Sequence, residues 1–139
     1  MHRNNLTEAV AEAAQACELC FHNGFEYQIN EALQETPALW LSYLEATKHN
    51  GVNEGVRTYT AKMFIIDIPQ KNIAENPEST WLQMEKNAAK ICSLIAEAEC
   101  VKNISDVEFS ATKNSITNRG EIAMQIKMNI HVPYINPKN

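Results

Sequence analysis

The chain has 139 residues, 45% of them hydrophobic, and a formal net charge of −5 from 12 basic and 17 acidic residues. This size predicts one globular domain with one core, and scattered basic residues in an acidic chain argue against a nucleic-acid backbone as main ligand. No apolar run approaches the roughly 20 residues of a membrane helix, and acidic residues near the N-terminus argue against a signal peptide, so we expect a cytosolic chain with reduced cysteines.

An amphipathic helix is predicted first. Asn5 suits its N-cap, and Gly24 suits its C-terminal stop. The apolar residues between them recur at spacings of three and four, which is one helical stripe. These residues are Leu6, Val10, Ala13, Ala14, Cys17, Cys20 and Phe21.

Alternating segments predict three strands before the middle of the chain. Residues 25–30 favour a short strand or extended segment, and residues 38–44, after Pro37, favour a short strand. Residues 47–55 are polar with two glycines, which predicts a turn or mobile loop. Residues 56–68 carry apolar side chains at both parities, so we expect a central strand covered on both faces and ended by Pro69.

A core helix and a hairpin complete the pattern. Asn76 and Pro77 favour a helix start, and heptad-like apolar spacing continues through Cys100, about 23 residues in all. Residues 106–112 and 121–132 alternate and predict a long antiparallel hairpin. Pro133 is expected to end the last strand, leaving residues 133–139 as a short, loose C-terminal tail.

Together these elements predict one α+β domain over residues 1–139. Its antiparallel or mixed sheet has about four strands and packs against two amphipathic helices, in the order α-β-β-α-β-β.

Two cysteines have a spacing that metal and redox sites use. Cys17 and Cys20 stand three apart, but no second ligand pair follows, and both fall on the apolar stripe of the predicted helix, which favours core packing. On a helix, His22 would point away from both. His49 and His131 are expected to be solvated. We therefore expect no catalytic residue, no metal and no cofactor.

The order of elements adds a resemblance. Its residues are 37–41, 54–66, the helix from Pro77 and the closing strand 121–132. In this pattern the chain resembles the tail-terminator proteins of long-tailed bacteriophages and their head–tail connector relatives.

The resemblance implies a structural virion protein and no enzyme. Such a protein forms a ring of about six copies at the head-proximal end of the tail tube, ends tail growth and joins the tail to the head. The implied partners are further copies of the chain, the tail tube protein and head–tail connector proteins. DNA passes through the lumen, and no membrane is involved. The implied location is the tail or neck of the virion, assembled in the host cytoplasm.

Polar loops are the interface candidates for such a ring. They lie at residues 48–55, at residues 113–120 and in the tail, and each has the alternative of being a plain solvent loop. The candidate residues are Lys48, His49, Asn50, Asn53, Glu54, Lys113, Asn114, Asn118, Arg119 and Tyr134.

Two other functions stay open at this point. One is a small cytosolic ligand-binding or enzymatic α+β domain, which predicts a monomer or dimer with a pocket. The other is an accessory protein of a host secretion or injection machine, which would also form rings.

Overall fold

The computed structural model describes residues 2–25, 28–29, 36–52, 54–67, 78–112 and 121–135, with the side chains of all of these except residues 2–4 and 135. The elements, in chain order, are α1 (His2–Ala16), β1 (Cys20–Asn23), β2 (Ala38–Asn50), β3 (Glu54–Asp67), α2 (Glu78–Ala96), β4 (Asn103–Ala111) and β5 (Ile122–Ile135). The predicted α+β architecture with a sheet and two helices is confirmed. The described residues form five strands instead of about four, in the order α-β-β-β-α-β-β.

The five strands form one mixed sheet in the order β1-β2-β3-β5-β4. β1 is parallel to β2, and the other neighbours are antiparallel. The predicted pairing of the last two strands is therefore confirmed. β3 is the central strand, and its residues 63–66 are buried at both parities, as its sequence predicts. β4 lies at one edge.

One face of the sheet packs on both helices. β5 supplies Met124, Ile126, Met128, Ile130 and Val132 to this face, all buried at period two as predicted. The helices supply Leu6, Val10, Ala13, Ala14, Met84, Ala88, Ile91 and Ile95 to the same cluster. Burial of each large side chain stabilises the fold by roughly 1.5–3 kcal/mol, so this layer is the main core.

The opposite face, here called the open face, is divided into two parts. One end carries a second, smaller apolar cluster of Ile29, Ala38, Trp40, Phe64, Ile66 and Ala123. The indole Nε1 of Trp40 donates a hydrogen bond to the Gly24 carbonyl at 2.8 Å, which satisfies the polar atom of this buried ring. The other end of the open face is polar.

α1 ends earlier than its sequence pattern predicts. Glu18 has a left-handed backbone with φ of 59°. The Glu18 amide donates to the Gln15 carbonyl at 3.0 Å and the Leu19 amide donates to the Ala14 carbonyl at 2.9 Å. This is a Schellman C-cap, and buried Leu19 and Ala14 give its apolar contact. The predicted bounds of this helix, Asn5 to Gly24, are wrong at both ends. α1 already includes His2, and the first strand begins at Cys20.

The predicted loop at residues 47–55 is also wrong. β2 continues to Asn50 and β3 begins at Glu54, with Asn50 opposite Val56. Gly51 has φ of 95°, which glycine adopts without strain. A side chain at Gly55 would collide with the Asn50 carbonyl oxygen. The polar residues here are thus the exposed end of a hairpin.

The last strand does not end at Pro133. β5 continues to Ile135, and Tyr134 lies opposite Gly55 of β3. Because β4 begins at Asn103, opposite His131, β5 is locally an edge strand at Pro133. Proline is tolerated at such a position, so the expectation of a loose tail is wrong for residues 133–135. Residues 136–139 lie outside the described part.

Other predicted boundaries shift by a few residues. α2 ends at Ala96 instead of Cys100, and β4 begins at Asn103 instead of Asp106. The predicted strand at residues 25–30 is not formed by its described residues, since Gln28 and Ile29 lie in a helical turn. The predicted helix start at Asn76 and Pro77 lies outside the described residues.

Candidate interface at the hairpin end

An arginine that lies over a tyrosine ring marks the end of the β2–β3 hairpin. The Arg57 guanidinium carbon lies 4.2 Å from the centroid of the Tyr134 ring. Arg57 Nε donates to His49 Nδ1 at 3.4 Å, and the His49 and Tyr134 rings meet edge to face at 4.5 Å between centroids. We call these three residues, with the neighbouring Lys102, the hairpin-end site.

Strand register brings the site together. His49 of β2 lies opposite Arg57 of β3, and Tyr134 of β5 lies opposite Gly55, two residues along from Arg57. Alternate residues of a strand share one face, so the three side chains project on the helix side of the sheet. Tyr134 and Lys102 also line an open concavity of about 410 Å³.

Two tyrosine side chains stabilise the protonated form of Arg57. A side-chain hydrogen bond to Tyr59 raises the pKa of Arg57, against the opposing effect of partial burial, and Tyr134 adds to the increase. No carboxylate among the described residues contributes to this pKa. The site therefore holds a cation against an aromatic ring, which can donate hydrogen bonds to an oxyanion.

The structure gathers part of the predicted interface set. His49 and Tyr134 form the site, and Glu54 lines the same concavity. Lys48 and Asn50 lie opposite Thr58 and Val56, on the open face. The remaining candidates, Asn53, Lys113, Asn114, Asn118 and Arg119, lie outside the described residues.

The most strongly charged part of the site was not predicted from the sequence. Arg57, Tyr59 and Lys102 belong to no predicted loop. The alternation of β3, which puts Arg57 and Tyr59 on one face, was the available signal. Lys102 gave no signal, because its place beside Tyr134 depends on the pairing of β4 with β5.

The edge strand β4 presents a second exposed surface, along the part of β5 between Met124 and Met128. Asp106 and Val107 together oppose one residue of β5, which makes a β-bulge, and Asp106 has φ of 52°. Val107 is 40% and Phe109 is 44% exposed. Within the described part of the chain β4 pairs only with β5, so its outer edge offers backbone donors and acceptors.

A polar network on the open face fixes this edge. His131 is hydrogen-bonded through Nδ1 to Thr58 Oγ1 at 2.9 Å and through Nε2 to Ser105 Oγ at 2.7 Å. Asn129 Nδ2 donates to Asp106 Oδ2 at 2.9 Å, which holds the bulge. The expectation of a solvated His131 is therefore wrong, because the side chain links β3, β5 and β4.

The two cysteines of the CxxC spacing lie on different faces. Cys17 follows α1 and packs on the main core, whereas Cys20 of β1 packs on the small cluster of the open face. Because β1 is a strand, His22 lies on the Cys20 side, with Nε2 3.6 Å from Sγ, and stacks on Trp40. The prediction that both cysteines and not His22 share a face is thus wrong.

The thiol environments are those of packed side chains. Burial raises the pKa of Cys17 and Cys100, and raises that of Cys92 to about 11. Such thiols stay neutral and unreactive at physiological pH. Among the described residues, no group of three or more His, Cys, Asp or Glu side chains is placed to hold a metal ion.

An acidic groove runs between α1 and the C-terminal end of α2. It consists of two open concavities of about 380 and 280 Å³. Its carboxylates are Glu8, Glu12, Glu97 and Glu99, all exposed. The other described lining residues are Asn5, Ala9, Ala13, Ala16, Leu94, Ala98 and Cys100. Lys90 Nζ donates to the carbonyl of Ala16 at 3.3 Å, so a basic side chain lies at one rim. We call this feature the acidic groove.

Comparisons with known proteins add no family to this description. No protein-family model matches the chain, and no curated protein matches it significantly. In the described part of the chain, neither helix has the length and apolar character needed to cross a membrane.

Proposed function

We propose that this chain is a non-catalytic assembly protein that forms a ring, in the manner of a phage tail terminator. The observation that carries the proposal is the outer edge of β4, which presents the exposed side chains of Val107 and Phe109. An exposed strand edge with apolar side chains is suited to pairing with another chain.

The regular half of β4 is the segment best suited to such pairing. Beyond the bulge, residues 108–111 keep an unbroken register with β5. Their backbone pairs with β5 on one side and with no described strand on the other. A neighbouring copy that pairs here by a different surface makes a heterologous contact, which closes into a ring when its rotation closes.

The role in the virion follows from the resemblance in element order. In this proposal a ring of about six copies caps the tail tube, ends its growth and offers a docking face to head–tail connector proteins. DNA passes through the lumen. The location is the neck of the virion, after assembly in the host cytoplasm.

The experiment is a mass measurement by light scattering over a concentration series, with negative-stain images of the same sample. We expect a closed ring. Phe109→Lys places a charge on the β4 edge and should shift the ring to monomers. Leu82→Lys, at a 52% exposed position on α2, is the matched control and should leave the ring intact.

Two results would contradict the proposal. A wild-type chain that stays monomeric at every soluble concentration would show that the exposed edge of β4 does not drive self-assembly. A ring that tolerates Phe109→Lys as well as Leu82→Lys shows that the β4 edge is not its contact surface.

A further inference from the structure

We propose that β4 of one copy pairs with β1 of the next copy, so that the sheet continues from copy to copy. The inference rests on the proposed function, which requires copies to associate through the β4 edge, and it names the surface that β4 meets. β1 and β4 are the outer strands of the described sheet, and each has one edge that pairs with no described strand.

The strand directions of the sheet suit this contact. β1 is parallel to β2, and the later neighbours in the sheet are antiparallel, so β4 runs opposite to β1. A second copy that is displaced across the sheet, with its helices on the same side, brings its β1 antiparallel to the first copy's β4. Such strands can exchange the hydrogen bonds of an antiparallel ladder, and the helix layer stays on one side of the joined sheet.

The outer edge of β1 presents the backbone groups of Phe21 and Asn23. The amides of Cys20 and Gly24 donate to carbonyls at and just before β2, both at 3.1 Å. These two residues direct their backbone groups towards β2, and alternation along the strand directs those of Phe21 and Asn23 away from it. Each outward residue therefore offers one donor and one acceptor to another strand.

β4 presents a matching set beyond its bulge. The Thr112 amide donates to the Ala123 carbonyl of β5 at 2.9 Å, so residues 108, 110 and 112 direct their backbone groups towards β5. Phe109 and Ala111 direct theirs to the outer edge. The regular segment 108–111 and β1 are both four residues long, so the two edges match in length.

One antiparallel register uses all of these backbone groups. It places Phe21 opposite Ala111 and Asn23 opposite Phe109, and each pair exchanges two hydrogen bonds. Both aromatic rings lie on the helix side, because Phe21 packs on the main core and Phe109 lies opposite Ile126 of that core. Each ring then has a smaller side chain across from it, and the two rings are diagonal neighbours within contact distance. The contact thus covers the exposed ring of β4.

The open face allows the same register. Cys20 comes opposite Thr112 and His22 comes opposite Ser110, so no two like charges meet. Two different edges of one sheet form the contact, which is therefore heterologous and can close into the proposed ring.

Proline substitutions at the outward amides test the backbone pairing. Asn23→Pro and Ala111→Pro each remove one donor that faces the neighbouring copy and not the chain's own sheet. Edge strands tolerate such a proline, so each variant should fold but associate about tenfold more weakly or worse. Asn23→Ala and Ala111→Ser keep the amides and are the matched controls, which should assemble like wild type in light scattering. Circular dichroism checks the fold of each variant first.

Disulfide trapping tests the register. Asn23→Cys and Phe109→Cys, mixed in equal amounts and oxidised, should give a linked dimer on a non-reducing gel, because residues directly opposite on paired strands lie within reach of a disulfide. Each variant oxidised alone should give no such dimer. Asn23→Cys mixed with Glu108→Cys should give none either, since those side chains point to opposite faces. Oxidised wild type measures the background from the four native cysteines.

The outcomes distinguish this inference from the proposed function. A ring that forms in Asn23→Pro but is lost in Phe109→Lys overturns the inference and leaves the β4 edge as a contact surface. A disulfide in Phe109→Cys alone shows β4 paired with a second β4 and overturns the inference, as does a ring in which the mixed variants form no disulfide. If a proline variant unfolds, the trapping result decides. A strictly monomeric wild type overturns both.

Discussion

Replacing Glu18 by glycine should stabilise the protein, and the sign of the effect tests where α1 ends. Glu18 adopts φ of 59° at the C-cap. A side chain with a Cβ atom pays roughly 1–2 kcal/mol in this left-handed region. Glycine removes that strain but adds unfolded-state entropy that costs roughly 0.5–1 kcal/mol. The expected net gain is about 0.5–1 kcal/mol.

The same substitution has the opposite effect if the helix continues. In a helix that reaches Gly24, as the apolar spacing alone predicts, residue 18 is interior, and glycine there costs about 1 kcal/mol relative to alanine. The two descriptions of this segment therefore differ in sign.

Urea unfolding of wild type, Glu18→Gly and Glu18→Ala measures the effect. Alanine keeps the Cβ strain but removes the carboxylate from the negative end of the helix dipole, so it isolates the electrostatic part, about 0.3–1 kcal/mol at most. We expect Glu18→Gly to be the most stable of the three, with a Tm a few degrees above that of Glu18→Ala. Glu18→Gly less stable than Glu18→Ala would refute the Schellman cap.

Three further predictions concern the hairpin, the core and a buried thiol. Gly55→Ala should destabilise the fold by more than about 1 kcal/mol, because its Cβ would meet the Asn50 carbonyl; equal denaturant midpoints would contradict this. Ile126→Ala should cost about 2–5 kcal/mol, since the side chain is fully buried, whereas Phe109→Ala, at a half-exposed position, should cost much less in the same assay. Burial raises the pKa of Cys92 from 9.0 to about 11, so the folded state favours the neutral thiol. The contribution of the neutral thiol to the free energy of unfolding is complete below pH 9 and is lost as pH rises towards 11. Between these pH values Cys92→Ala should therefore lose less stability than wild type, by up to about 1 kcal/mol after solvent screening.

The strands β3 and β5 were predictable from sequence, because the burial of each strand face is visible in its pattern of apolar residues. The even residues of β5 are apolar and the odd residues mostly polar, and the structure buries the even set against the helices. β3 was predictable as a central strand because both parities are apolar near Met63 and Ile65. Periodicity gave these elements without knowledge of their neighbours.

The error at the end of α1 has a local cause. Cys17, Cys20 and Phe21 continue the helical spacing, but they are buried for different reasons, on two faces of a sheet. The stop at Glu18 uses a residue that rarely adopts a left-handed conformation, so the sequence carries no glycine signal there. The Cys20–His22 contact at 3.6 Å could not be predicted once this segment was assigned to a helix.

The hairpin-end site could not be predicted because it depends on register between distant strands. Arg57 and Tyr134 are far apart in sequence and meet only because β3 and β5 pair over their whole length. Polar composition gave His49 and Tyr134, but as members of separate loops. Pairing converts them into one site with Arg57 at its centre.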